Sequence, residues 1–423
     1  MVKNSRVSPV VVMSNGRITI CFPFVGNSFG GSHVSATKLI LALDRNIYRS
    51  LVVLHVEDGP VASYLKEKGI PFLVAPVGAP PLVREQGRST VAHMISMARF
   101  VSGAIPSLVT FLKRHNVDIL HTNDGQIHAA WSIPAQIAGA RHVWHHRADP
   151  EAFGVNYLAP VLSHHIVAVS RFAKPCKPIC NVDGKFAVVH SPFDVPLKTS
   201  DRTSARSGLI QELGCREDTL LLGYFGSIVS RKRPVAFVEA VAAFKEQHPD
   251  VPVMGLLFGA PNLREPKYDG KVKQRVEELG IGDAIRLMGF RQPIEPYIHA
   301  VDALLVPAVR EPFGRTLIEA MYLGTPVVAT RDGGNPEAIE DGVNGILVPP
   351  DRPESFVEPI YKLRNDPKFR ENIVKAAEER AYASYGVDVH VNKITDIYDR
   401  LLGGRKSDDL NSHARLSRTS LGR

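Results

Sequence analysis

At 423 residues, 44% of them hydrophobic and 22% charged, the chain exceeds what one hydrophobic core organises and is apolar enough to fill two. Four cysteines, Cys21, Cys176, Cys180 and Cys215, show neither CxxC pairing nor a histidine pattern for zinc, which argues against a disulfide or zinc scaffold. The net charge of +8 is uneven: residues 1–214 carry 22 Lys and Arg against 13 Asp and Glu, and residues 215–423 carry 29 against 30.

The basic half suits an anionic partner, either a phosphorylated acceptor or a membrane surface, and a plain solvated surface explains it equally well. Basic runs interleaved with aromatics are missing, so no nucleic-acid partner is expected. No run reaches the roughly 18 apolar residues of a membrane span. The short apolar stretch Val7–Met13, broken by Pro9, lacks the core of a secretory leader, and a cytoplasmic location is expected, with the membrane as a peripheral contact.

Both halves alternate short apolar runs with amphipathic stretches, the pattern of parallel α/β sheets. The first half predicts strands at Ile18–Phe22, Leu51–Leu54, Phe72–Ala75, Ile119–Thr122, His142–Trp144, Ile166–Ser170 and Ala187–His190, with helices over Ser32–Leu43 and Met94–His115. The apolar stretch Met94–Leu112, ending in Lys113 and Arg114, reads as a core helix or as a contact for a lipid-linked acceptor. Polarity then rises, and a linker is expected over 196–214. Strands resume at Leu220–Phe225, Val253–Phe258, Ile285–Met288, Ala303–Val306, Val327–Ala329 and Ile346–Val348, separated by helices near Val235–Glu246, Asp269–Leu279, Arg315–Tyr322 and Ser355–Leu363. A last helix, Val389–Leu402, follows the break at Tyr385–Gly386. The expected division is a first Rossmann-like domain over 15–195, the linker, a second over 215–385, a crossing helix over 386–402 and a disordered tail over 403–423.

The sharpest motif is Glu311-Pro-Phe-Gly-Arg-Thr-Leu-Ile-Glu319, which follows a predicted strand and enters a helix near Gly314. The first-turn amides of Arg315, Thr316 and Leu317 are unpaired donors there, and the helix dipole favours an anion. Gly314 lets a phosphate approach the backbone. Glu319, one turn on and leaning back toward the amino end, is placed to reach a ribose diol while Glu311 on the loop accepts from sugar hydroxyls, and the pair alone reads equally well as glutamates complementing a helix dipole.

Glu311-x7-Glu319 with Pro312-Phe313-Gly314 between resembles the signature of the retaining nucleotide-sugar glycosyltransferases of family 4. So do Glu319-Ala320-Met321, Gly324-Thr325-Pro326, Gly333-Gly334-Asn335-Pro336-Glu337 and Gly342-Val343-Asn344-Gly345. The resemblance implies a GT-B fold: two facing Rossmann-like parallel-sheet domains, with a carboxyl-terminal helix packing back on the first. Gly226-Ser227-Ile228-Val229-Ser230-Arg231-Lys232-Arg233 resembles the family's Gly-Arg…Lys segment, whose cations grip the diphosphate; Lys232 matches the lysine, Arg231 sits beside it, and Ser227 stands in the arginine's place. Gly30 and Gly31 resemble the glycine-rich loop near the donor phosphates or the acceptor. In His145-His146-Arg147-Ala148-Asp149, His145 matches by spacing the family histidine that lines the cleft near the transferred sugar, with His146 as second choice. Arg147 then meets acceptor or phosphate, and His121 and Asn123, after another strand, line the acceptor side.

The implied activity is retaining transfer of a sugar from a UDP-, GDP- or ADP-sugar to a glycan, lipid-linked or small-molecule acceptor. The nucleotide sugar is a co-substrate, and no tightly bound cofactor is implied. The absence of a DxD motif fits an enzyme needing no protein-held metal, and GxxxxGK[ST], HExxH and GxSxG are also absent. With no carboxylate nucleophile evident in the first half, front-face attack is expected, with Glu311 orienting the sugar. A nucleotide-sugar hydrolase or epimerase on the same fold is the rival enzyme, and a sugar-nucleotide sensor or scaffold in polysaccharide assembly the non-enzymatic one.

Overall fold

The computed structural model describes residues 16–80, 90–193, 201–261 and 265–403. The apolar stretch at 7–13, the first residues of the expected linker (196–200) and the tail beyond 403 lie outside the described residues.

Two parallel sheets form. The first has seven strands, β1 (Ile18–Phe24), β2 (Tyr48–Leu54), β3 (Phe72–Val74), β4 (Ile119–Thr122), β5 (Arg141–His146), β6 (His165–Ala168) and β7 (Phe186–Val188), in the order β3-β2-β1-β4-β5-β6-β7. Its helices are α1 (Gly31–Ala42), α2 (Pro60–Glu67), α3 (Thr90–Arg114), α4 (Gly125–Ala138) and the short α5 (Ala159–Leu162), which continues a π-helical turn over Gly154–Leu158. Every residue of β1 is buried, as a strand covered on both faces requires, and Ile20 stands opposite Ser50 on one side and Ile119 on the other.

The second sheet has six strands in the order β10-β9-β8-β11-β12-β13: β8 (Leu220–Phe225), β9 (Val253–Phe258), β10 (Ile285–Gly289), β11 (Ala303–Val306), β12 (Val327–Thr330) and β13 (Ile346–Val348). Helices α6 (Arg202–Leu213), α7 (Pro234–Gln247), α8 (Tyr268–Glu278), α9 (Glu295–Ala300), α10 (Arg315–Tyr322), α11 (Asn335–Ala338), α12 (Val357–Asn365) and α13 (Pro367–Tyr385) surround it. The last helix, α14 (Val387–Leu402), returns to the first sheet, where Ile394, Ile397 and Tyr398 join a core with Ile18, Ala36 and Leu39.

The segment read as a linker is largely helical. α6 occupies Arg202–Leu213 because Leu209 buries itself in the second core and Arg206 reaches Asp302 at 2.9 Å. Polar composition alone hid that anchor. The apolar α3 is a core helix along its carboxyl half, with Ala104, Leu108 and Leu112 buried.

Both sheets reverse strand order once, between β1 and β4 and between β8 and β11. In such sheets a crevice opens beyond the carboxyl ends of the strands at that switch point. The loops leaving β1, β4, β8 and β11 carry Gly30–Gly31, Asn123, Ser227–Lys232 and Glu311–Gly314, so the topology gathers the sequence motifs by itself.

Candidate active site

A cavity of about 300 Å³ lies between the domains, lined by Gly31, Ser32, Arg147, Val169 and Ser191 from the first and Lys232, Glu311, Pro312, Phe313, Arg315 and Thr316 from the second.

On the second wall, the loop from β11 to α10 holds Glu311 with 8% of its surface exposed. Its Oε2 accepts from Arg231 Nη1 at 2.5 Å and from Lys232 Nζ at 3.2 Å. Burial opposes its charge, but Lys232 and Arg231 outweigh that and hold its carboxyl below the usual glutamate range. The backbone is pinned as well: Gly334 N donates to Glu311 O at 2.8 Å, and Arg310 N to Asp332 Oδ1 at 2.5 Å. Gly333, at φ +58°, packs so closely that a Cβ there would come within 2.6 Å of Glu311 O and 2.7 Å of its N. The Gly333-Gly334 pair is therefore the seat of the Glu311 loop.

Gly314 caps α10, and Arg315 and Thr316 face the cavity while the Leu317 side chain is buried in the core. Glu319 leans back as its place in the second turn requires, but onto Arg315, with Oε1 accepting from Nη2 at 3.0 Å. Arg315 also crosses the cleft: its guanidinium lies 4.7 Å over Phe193 and donates to Ser35 Oγ of α1 at 3.2 Å. Gly31 makes room for that crossing, since a Cβ there would meet Arg315 Cδ at 2.6 Å. Phe313 stacks on His190 across the interface at 4.7 Å. Gly226 and Ser227 hold backbone positions below Lys232: Gly226 N donates to Phe258 O, and Ser227 O accepts from Tyr224. Neither lines the cavity.

On the first wall the cation is Arg147. Nε donates to Asn123 Oδ1 at 3.2 Å, Nη1 to Ser191 Oγ at 3.1 Å and Nη2 to His145 Nδ1 at 3.3 Å, with no carboxylate partner among the described residues. Burial, aided by Arg315, lowers its pKa to about 9. Gly30 caps α1, its N–H donating to His33 Nδ1, while Gly31 and Ser32 reach the cavity.

His145 does not line the cleft, contrary to expectation. β5 runs two residues past Trp144, and strand alternation turns His145 inward, fully buried. A hydrogen-bond chain runs from Tyr398 of α14 through His121 Nδ1 (2.5 Å) and His121 Nε2 to His145 Nδ1 (3.1 Å), which also accepts from Arg147. With Tyr398 donating and His121 carrying its proton on Nε2, His145 Nδ1 is the acceptor shared by His121 and Arg147, and the His145 Nε2–H is buried without a partner among the described residues. His121 is buried for the same reason, and His146 is also buried, tied to Asp149 O at 3.0 Å. These histidines support the cation at the wall and do not face the cavity.

Sequence reasoning missed the contacts that hold the walls together. Glu337 accepts from the amides of Arg171 and Phe172, each at 2.8 Å, and Arg310 grips Asp149 with two bonds of 2.8 and 3.0 Å. Glu337 lay within a recognised motif, but nothing in its pattern gave its partner. From sequence Ser32 reads only as the start of the first helix, and Ser191 carries no signal.

Residues 206–380 match the family model described as glycosyl transferases group 1. A D-inositol 3-phosphate glycosyltransferase of Corynebacterium urealyticum is 30% identical over 51% of this chain and 51% of its own length. An uncharacterized glycosyltransferase of Methanocaldococcus jannaschii is 24% identical over 72% of this chain and 81% of its own. The chain spans about half the length of the inositol-phosphate relatives it matches. Among solved structures, an Anabaena protein, HepE, in complex with UDP and glucose aligns with a TM-score of 0.74 at 23% identity, covering 90% of this chain and all of the other. Sucrose-phosphate synthase from Thermosynechococcus elongatus aligns at 0.70 with 18% identity, over 92% of this chain and all of the other. The molecule thus has the two-domain GT-B fold of glycosyltransferases, and its residues 206–380 are similar in sequence to the glycosyl transferases of group 1.

Proposed function

We propose that the protein transfers a sugar from a nucleoside-diphosphate sugar to a hydroxyl acceptor with retention of anomeric configuration. The observation carrying this reading is the cavity itself, which sets Glu311, Lys232 and the start of α10 opposite Arg147, with Arg231 ion-paired to Glu311.

Departure of a nucleoside diphosphate builds negative charge on its phosphate oxygens. Preorganised cations and amides aimed at that charge lower the barrier most. Lys232, Arg231 and the first-turn amides of α10 supply them. A bound diphosphate competes with the Glu311 carboxylate for both cations, which leaves Glu311 to accept from sugar hydroxyls and orient the ring. Glu319 takes the ribose hydroxyls once Arg315 releases it. The acceptor oxygen then bonds to the anomeric carbon on the side from which the diphosphate leaves. As the bond between the anomeric carbon and the terminal diphosphate oxygen breaks, the acceptor's proton passes to a departing phosphate oxygen.

The Anabaena neighbour was solved with UDP and glucose, so UDP-glucose is the first donor to try. Arg147 has no carboxylate partner among the described residues, and relatives are named for a phosphorylated inositol, so a phosphorylated polyol is the first acceptor to try. Glu311→Ala and Lys232→Ala should each cut transfer by about 100-fold or more while the melting transition stays cooperative. Near-wild-type turnover in either variant removes that residue from the assignment.

A further inference from the structure

Two neighbouring surface helices carry no charge. Neither residues 125–140, spanning α4, nor residues 152–163, spanning the π turn and α5, contain a single Asp, Glu, Lys or Arg. A solvent-facing helix normally shows a charged face. Here the outward positions are Ile133 and Ile137 on α4, and Phe153, Tyr157 and Val161 on the next helix, between 41% and 66% exposed. Spacings of four residues set each group in one row, and the wider π turn keeps Tyr157 in line. The helices are tied by Gln136 Nε2 donating to Leu162 O at 3.1 Å, and the Phe153 and Tyr157 rings stack at 4.8 Å. Exposed Ile179 extends the patch, its N–H donating to Asn156 O at 3.0 Å.

Cations rim this patch. Exposed Lys177 is held beside it by its own N–H to Asn156 Oδ1 at 2.8 Å, and Lys185 Nζ donates to the carbonyls of Pro160 and Ser163. Exposed Arg141 follows α4. The nearby acids are engaged: Asp183 by Lys174, and Asp149 and Glu151 by Arg310. No described helix is long and apolar enough to cross a membrane.

We propose that this face, Ile133, Ile137, Phe153, Tyr157, Val161 and Ile179, docks the protein on a membrane surface bearing anionic headgroups. An apolar row with aromatics and a basic rim suits the interface between acyl chains and headgroups. A second copy of the chain fits less well, because a symmetric contact would set the same cations against themselves. Phe153 follows Arg147 by six residues, so docking brings the acceptor wall of the cleft toward the bilayer. The proposal needs no donor chemistry and stands or falls apart from the transfer reading.

Vesicle sedimentation tests it. The full chain should pellet with phosphatidylcholine vesicles containing phosphatidylglycerol and far less with phosphatidylcholine alone. The triple variant Phe153→Ser, Tyr157→Ser, Val161→Ser should bind at least about tenfold more weakly, whereas Leu41→Ser, an exposed position on α1, should bind as the wild type does. Phe153→Trp adds a readout independent of those losses: its emission should shift to the blue on vesicles, since Trp131 and Trp144 are already buried. Equal binding by the triple variant, no pelleting of the wild type, or no shift at position 153 would each overturn the proposal. A wild-type dimer in solution that the triple variant abolishes, without vesicle binding, would assign the face to a second copy instead.

Discussion

The two sheet domains share a topology and differ in what fills them behind the cleft. Eight histidines are buried among the described residues, and all lie in the first domain or on α14 that covers it: His33, His55, His121, His128, His142, His145, His146 and His390. The second domain's His248 and His299 are only partly buried. Its cleft wall is built instead from an ion-paired glutamate on a glycine seat. One wall thus presents a cation held by an imidazole, an amide oxygen and a hydroxyl, the other a carboxylate held by cations. In the proposed transfer, an anionic donor must displace Glu311 from Lys232 and Arg231 to occupy the second wall. On the first wall Arg147 has no carboxylate partner among the described residues.

The largest effect that separates the two domains is acid sensitivity. Burial lowers the pKa of His142 to about 4, and drives His121, His128 and His145 well below 6.5. Below pH 6.5 the unfolded chain binds protons that these folded imidazoles refuse, so stability falls as pH drops toward the folded values. For His142 alone the loss approaches roughly 3 kcal/mol by pH 4. Both tryptophans, Trp131 and Trp144, sit in the first domain, so their fluorescence reports that domain selectively. Their transition should shift to lower denaturant between pH 7 and pH 4 far more than carboxyl-half probes do. Equal shifts in the two domains would break the contrast.

A smaller effect probes the glycine seat. Gly333→Ala places a methyl against the Glu311 backbone at a left-handed φ and should cost about 2 kcal/mol. It should weaken UDP binding while leaving the tryptophan-reported transition in place. Unchanged UDP affinity would mean that the Glu311 loop does not depend on its seat.

The second domain was the more legible from sequence. β8, β9, β11, β13 and α10 fall at their expected bounds, and the four strands' apolar runs each end at a glycine or a proline. The first domain misled at His145: whether a strand-end histidine meets the cleft or the core turns on two residues of strand length, which periodicity does not resolve. α4 escaped notice because an uncharged helix has no polar face to give it a period. α13 had a readable start, Asp366 capping the Phe369 amide followed by Pro367. The linkages between walls, Arg310 to Asp149 and Glu337 to the 171–172 amides, join residues more than 160 apart, and no local pattern encodes them.

The division of labour between the walls is tested most directly by calorimetric titration of UDP into the wild type, Lys232→Ala and Arg147→Met, with transfer measured alongside. Lys232→Ala should lose UDP affinity by about tenfold or more. Arg147→Met should keep UDP affinity near the wild-type value and lose transfer to a phosphorylated acceptor. Loss of UDP affinity in Arg147→Met, with Lys232→Ala unaffected, would put the donor on the opposite wall and contradict the account.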